Sequence, residues 1–247
     1  MTEVIRLIQE GDIGIVIMEE REHKNTFSQS FNAGLTDVFN RIAHSPGIKV
    51  VVIHGYDNYF SCGGTKEELL GIMEGKLQFT DLQFFDVLLQ CEQPVIAAMQ
   101  GHALGGGLVF GSYADIIVMG EECIYSTNFM KYGFTPGMGG TYIIPKKFGE
   151  ALGSEMLLTA ANYYGRQLKE RGAPMKIVRK ADVIPIAMEA AKELADKPSL
   201  SLKLLKKQLT YSIRSELPSV IVRELKMHKL SFAQPEVRAR IENLFGK

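Results

Sequence analysis

The 247-residue sequence has no excess charge of either sign: 28 acidic side chains balance 28 basic ones. A nucleic-acid binder carries a basic patch or stripe, and nothing in this balance supplies one. No apolar run approaches the ~20 residues of a membrane span. The opening stretch "MTEVIRLIQEGDIGIVIMEE" has acids within its first apolar segment and no small-residue cleavage site, so it does not read as a signal peptide. Cysteine is scarce. Cys62, Cys91 and Cys123 are an odd number without metal-ligand spacing, which suits a reducing cytosol and gives no metal centre. Phosphate signatures are missing as well: Gly101, Gly105, Gly106 and Gly107 do not form G-x-G-x-x-G, and no G-K-[ST] marks a P-loop. What remains is the expectation of a cytoplasmic globular protein, long enough for one large domain or a domain with an appendage.

What is present alternates. "VIRLIQEGDIGIVIMEE" predicts two short strands around the turn "EGD", and "SQSFNAGLTDVFNRIAHSP" predicts a helix with Ser28 as its N-cap. "GIKVVVIHGY" is a buried strand of a parallel arrangement. A loop, "DNYFSCGGT", opens into a helical stretch broken near Gly75, then come the strand "PVIAAMQG", the helix "GLVFGSYA", the strand "DIIVMG" and the segment "CIYSTNFM". Strands and helices recur with glycine turns at strand ends, an α/β pattern. From about Gly149 the chain reads as helical nearly throughout, punctuated by Pro198 and Pro218. The organisation expected is a core over residues 1–190 and a C-terminal helical region over 191–247, packed on the core and on a neighbouring subunit.

Three consecutive glycines in a structured element cost roughly 0.5–1 kcal/mol each relative to alanine. One return on that cost is a backbone N–H brought close to a ligand oxygen, an oxyanion hole, which needs a second donor. "YFSCGG", Tyr59 to Gly64, offers one in its own glycine turn. Close packing of helices on strands explains both glycine groups equally well at this level.

The loop from Phe60 to Gly64, "PVIAAMQGHALGGG" and "GFTPGMGGT", together with "REHKNTF" from Arg21, resemble in order and spacing the enoyl-CoA hydratase/isomerase, or crotonase, superfamily. The resemblance spans essentially the whole chain. It implies a spiral of repeated ββα units with a C-terminal helical region, assembled as trimers. It also implies that the peptide N–H groups of Cys62 and Gly106 form the hole around a thioester carbonyl. Hydratases of that family hold a water between two glutamates, and those positions here are Val109 and Phe129. Apolar side chains move no protons, so hydration is excluded and both residues are assigned to the substrate pocket.

"GYDNYFSCGGT", "NFMKYGFTPGMGGTYIIPKKFG" and "LKMHKLSF" are similar, within that superfamily, to the decarboxylases of polyketide β-branching cassettes. That likeness implies decarboxylation of a 3-methylglutaconyl group carried on the phosphopantetheine of an acyl carrier protein, or on CoA, with no other cofactor. It assigns His228 as the acid that protonates carbon, at the ordinary histidine pKa of ~6.5. A lysine is expected directly before F-T-D to hold the carboxylate, but Gln78 stands there, with Lys76 two residues earlier. Both are candidates. The Cys62 thiol has no histidine partner in sequence, so only its backbone is assigned a role. An enoyl-CoA or enoyl-carrier-protein isomerase is the rival activity, and a catalytically inactive trimeric scaffold is the rival without chemistry.

Overall fold

A computed structural model describes residues 4–77 and 85–245. The elements are, in order, β1 (Ile5–Glu10), β2 (Ile13–Met18), α1 (Gln29–Ala43), β3 (Val50–His54), β4 (Tyr59–Ser61), α2 (Lys66–Met73) and α3 (Val87–Gln90). There follow β5 (Val95–Met99), β6 (His102–Leu104), α4 (Gly106–Ser112), β7 (Ile116–Gly120), β8 (Ile124–Ser126), α5 (Gly140–Phe148), α6 (Glu150–Thr159) and β9 (Tyr163–Tyr164). The chain closes with α7 (Gly165–Glu170), β10 (Lys176–Val178), α8 (Val183–Ala195), α9 (Ser199–Leu209), α10 (Tyr211–Phe232) and α11 (Pro235–Leu244).

Two sheets result. One has six strands in the order β1-β2-β3-β5-β7-β10, and the other four in the order β4-β6-β8-β9. The pairs β3/β4, β5/β6 and β7/β8 each send one strand to the large sheet and one to the small sheet before a helix returns, which is the expected ββα spiral. From β2 to β10 the large sheet is parallel. Its strands are apolar on both faces because both are covered. Val50, Val52, Ile96 and Ala98 face a layer containing α8, while Val51, Ile53, Ala97 and Met99 face the main core.

Ser28 caps α1 as expected, its hydroxyl accepting the Phe31 N–H at 3.3 Å. The break near Gly75 is present: α2 ends at Met73, and Gly75 has φ +69°. Three features after Gly149 depart from the sequence reading. That region contributes β9, and it contributes β10 as the sixth strand of the large sheet, pairing with β7 over only three residues. Such a stretch is too short to announce itself by alternation. Pro218 does not punctuate but lies inside α10. The helix continues through it because Ile213, Leu217, Val220, Glu224, His228 and Phe232 form one long buried face. Residue 190 falls within α8, whose Val183, Ala187 and Ala191 pack on the large sheet.

Candidate functional site

The small sheet fixes the site. β4 and β6 are neighbouring parallel strands, with Tyr59 opposite His102 and Ser61 opposite Ala103. Their carboxyl ends therefore fall at one edge, the usual place for ligands in such sheets. The Cys62–Gly64 turn leaves β4 there and the Gly105–Gly107 turn leaves β6. The two glycine groups meet. A Cβ on Gly63 would lie 3.0 Å from the Gly106 nitrogen, and one on Gly107 would run into the Ser61 carbonyl. Gly105, at φ +53°, turns the chain into α4. The glycines thus permit the close packing of the two turns.

A cavity of about 350 Å³ opens at this edge, lined by Cys62, Gly106, Phe129 and His228 among others. Among the described residues no acceptor meets the Gly106 N–H, whereas the Cys62 N–H donates to the Lys24 carbonyl at 3.3 Å. Phe129 lies on the wall as expected, with its ring edge-on to Phe134. Val109 does not line the cavity. It is wholly buried behind the glycine turn, facing Gly140, because position 109 falls on the core side of α4. The surrounding Phe27, Leu104, Tyr132 and Met138 make the wall largely apolar.

His228 reaches the cavity from α10 and is 7% exposed. Burial among Phe134 and Phe232 pushes its pKa down to about 4, against a hydrogen bond to the Thr135 backbone that raises it. This corrects the expectation of an ordinary histidine: the resting imidazole is neutral near pH 7. Burial likewise pushes the Cys62 thiol up to about 11, so the thiolate is absent at neutral pH and a covalent role has no support.

Lys76 is not brought in. Its side chain is 74% exposed and pairs with Glu74 at 2.7 Å, because the turn after Met73 sends it outward. Gln78 lies outside the described residues. Other titratable side chains line the wall, among them Glu68 and His102, to which the sequence motifs assign no catalytic role. Glu68 is the only carboxylate among the described lining residues, and its oxygen is held by the Thr65 N–H at 2.8 Å in a capping box. The T-K-E-E pattern signals that cap. His102 accepts the Ile124 N–H at its Nδ1 at 2.9 Å, so its neutral ring carries the proton on Nε2 and cannot serve there as a base. Burial and the nearby Lys180 lower its pKa. At the rim, Glu20, Glu22 and His23 bring ligand atoms within 4.8 Å of one another. Glu20 is occupied in holding the His23 N–H at 2.9 Å.

The enoyl-CoA hydratase/isomerase family profile matches residues 9–244. Over 244 residues the chain is 49% identical to the bacillaene synthase decarboxylase PksI of Bacillus subtilis, covering 98% of each. A solved structure from a dehydratase/decarboxylase enzyme couple involved in polyketide β-branching superposes with a TM-score of 0.97 at 49% identity, over 99% of this chain and 100% of that one. The ECH2 decarboxylase domain of CurF from Lyngbya majuscula superposes at 0.94 with 40% identity, over 99% and 100%.

Proposed function

The chain belongs to the enoyl-CoA hydratase/isomerase family, and from that premise we propose that it is a decarboxylase of polyketide β-branching, releasing carbon dioxide from a 3-methylglutaconyl thioester. The carrier is the phosphopantetheine arm of an acyl carrier protein. One observation carries the reading: two glycine turns at neighbouring strand ends, bearing Cys62 and Gly106, and one buried histidine line the same largely apolar cavity. Phe129 occupies the wall where a hydratase keeps an acid.

The bond between the carboxylate carbon and the γ-carbon breaks, and its electron pair runs through the alkene to the thioester oxygen. Carbon dioxide departs, leaving a dienolate. Cys62 and Gly106 donate to that oxygen, where loss of one such donor costs roughly 2.7–4 kcal/mol in other enzymes. The oxygen then returns its electrons, and the γ-carbon takes a proton from His228. The product is a 3-methylcrotonyl thioester, and the imidazole returns to its neutral resting form, to take a proton from solvent when the next carboxylate binds.

The low pKa of His228 gives the proton its timing. A bound carboxylate favours the charged ring and raises its pKa, so substrate brings a proton with it. Once the carboxylate has left as neutral carbon dioxide, the imidazolium is stranded in an apolar pocket and is a stronger acid. In this reading His228 also meets the carboxylate, with Lys76 outside the cavity. The homotrimer and the cytoplasmic setting follow from the resemblance. Leu200, Leu204 and Leu209 of α9 are exposed apolar side chains that such an assembly would cover.

Incubation with 3-methylglutaconyl-carrier protein should show loss of the mass of one carbon dioxide, and His228→Ala should lower turnover roughly 10²–10⁴-fold while leaving a measurable residue. A retained carboxylate with a migrated double bond would instead establish an isomerase. Unchanged turnover in the His228 variant would remove it as the acid. Calorimetry of a non-reactive analogue in buffers of different ionisation heat should report proton uptake.

A further inference from the structure

α10 bears a second buried ionisable group that this chemistry leaves unused. Glu224 is 1% exposed and stands one helical turn before His228 on the same buried face. Its oxygens accept three hydrogen bonds: from the Gly139 N–H at 2.7 Å, the Thr141 N–H at 2.8 Å and the Thr141 hydroxyl at 2.6 Å. These donors open α5, so the carboxylate also faces the positive end of that helix. One turn after His228 the pattern repeats. Ser231 Oγ accepts the Thr135 N–H at 3.1 Å, lies 3.1 Å from the Thr135 hydroxyl and donates to the His228 carbonyl at 3.2 Å.

Residues 135–141 are therefore tied to α10 at two points that bracket His228. The same segment forms cavity wall through Gly137 and Met138. Met138 and Gly139 hold φ of +61° and +74°, and the Tyr113 hydroxyl donates to the Met138 carbonyl at 2.6 Å. A methionine rarely adopts that conformation unaided, so the ties maintain it.

We propose that Glu224 and Ser231 form a two-point clamp that sets the His228 imidazole against the reacting carbon, making them positioning residues for protonation. This rests on His228 being the proton donor. A dienolate accepts a proton at either of two carbons: the γ-carbon gives the conjugated thioester and the α-carbon the unconjugated one. One N–H bond breaks and one C–H bond forms in each case. Which carbon receives the proton depends on where the ring is held.

The test uses Glu224→Gln, which replaces one acceptor oxygen by an NH2 group facing donors, and Ser231→Ala, which removes a single hydroxyl. Both are made in the wild-type and His228→Ala backgrounds, with kcat, KM, Tm and the ratio of conjugated to unconjugated product measured. Glu224→Gln should lower kcat roughly ten- to hundredfold with KM held within about twofold. The isomer ratio should move with it, and Ser231→Ala should move both less in the same direction. In the His228→Ala background neither should lower residual turnover further. A lowered Tm with wild-type kcat and isomer ratio in both variants overturns the clamp, as do losses that remain additive without His228. If His228→Ala keeps wild-type kcat, the protonation reading itself falls and the clamp falls with it. Should Glu224→Gln not fold, Ser231→Ala decides alone by the same criteria.

Discussion

Replacing His228 by leucine removes a titrating group from the interior while keeping it filled. Burial holds the folded imidazole at about 4, and in the unfolded chain it returns to ~6.5. As pH falls, the unfolded chain takes up this proton first. The stability due to the neutral ring is thus fully present above pH ~6.5 and is lost progressively as pH falls towards the folded value. At ~1.36 kcal/mol per pH unit between the two values, the loss from pH 7.5 to pH 4.5 comes to about 2–3 kcal/mol. His54 and His102 are also pushed down by burial, but both proteins share them and they cancel in the difference. Urea denaturation of wild type and His228→Leu at the two pH values should show the stability gap changing by about 2–3 kcal/mol, against the wild type at low pH. A gap that stays within ~0.5 kcal/mol would refute a neutral buried imidazole, and with it the proton uptake assigned to substrate binding.

Three shorter predictions probe the rest of the site. Gly63→Ala places a Cβ at φ +79°, 2.8 Å from the Leu104 carbonyl and 3.0 Å from the Gly106 nitrogen. It should destabilise the fold by roughly 1–3 kcal/mol in a thermal melt and lower kcat at least tenfold. Cys62→Ala should keep kcat within about threefold, since the proposed reaction uses only the amide at that position, and wild-type Cys62 should resist iodoacetamide near neutral pH. Lys76→Met breaks an exposed ion pair with Glu74. Stability should change by less than ~0.5 kcal/mol and kcat/KM by less than about twofold, and a larger kinetic loss would bring the ammonium into the reaction.

Most of the strand ends were legible because glycine there has a steric reason that sequence spacing exposes. Cys62, Gly106 and Phe129 came from motifs whose residues are close in sequence, and the pairing of β4 with β6 then forces the two turns together. Val109 was misplaced because spacing from Gly107 gives a position along α4 but not the side of that helix facing the cavity. Lys76 failed for the same reason, its orientation being decided by the turn after Met73. The motif placed His228 at the cavity wall but not its low pKa, because burial against Phe134 depends on a contact between segments more than ninety positions apart in the chain. Glu224 left no local signature. Its partners, Gly139 and Thr141, lie on another helix more than eighty residues away.

The Cys62 amide has an internal companion, the Lys24 carbonyl at 3.3 Å. That contact is long for an amide bond and so is readily surrendered. An uncharged thioester gains little by displacing it, since one carbonyl merely replaces another. An oxygen carrying negative charge forms a bond roughly twice as strong and wins the exchange. In the proposed reaction, occupancy of this donor therefore rises with the electron density of the oxygen it meets. Such a grip tightens as the barrier is climbed, leaving the incoming acyl group only lightly held.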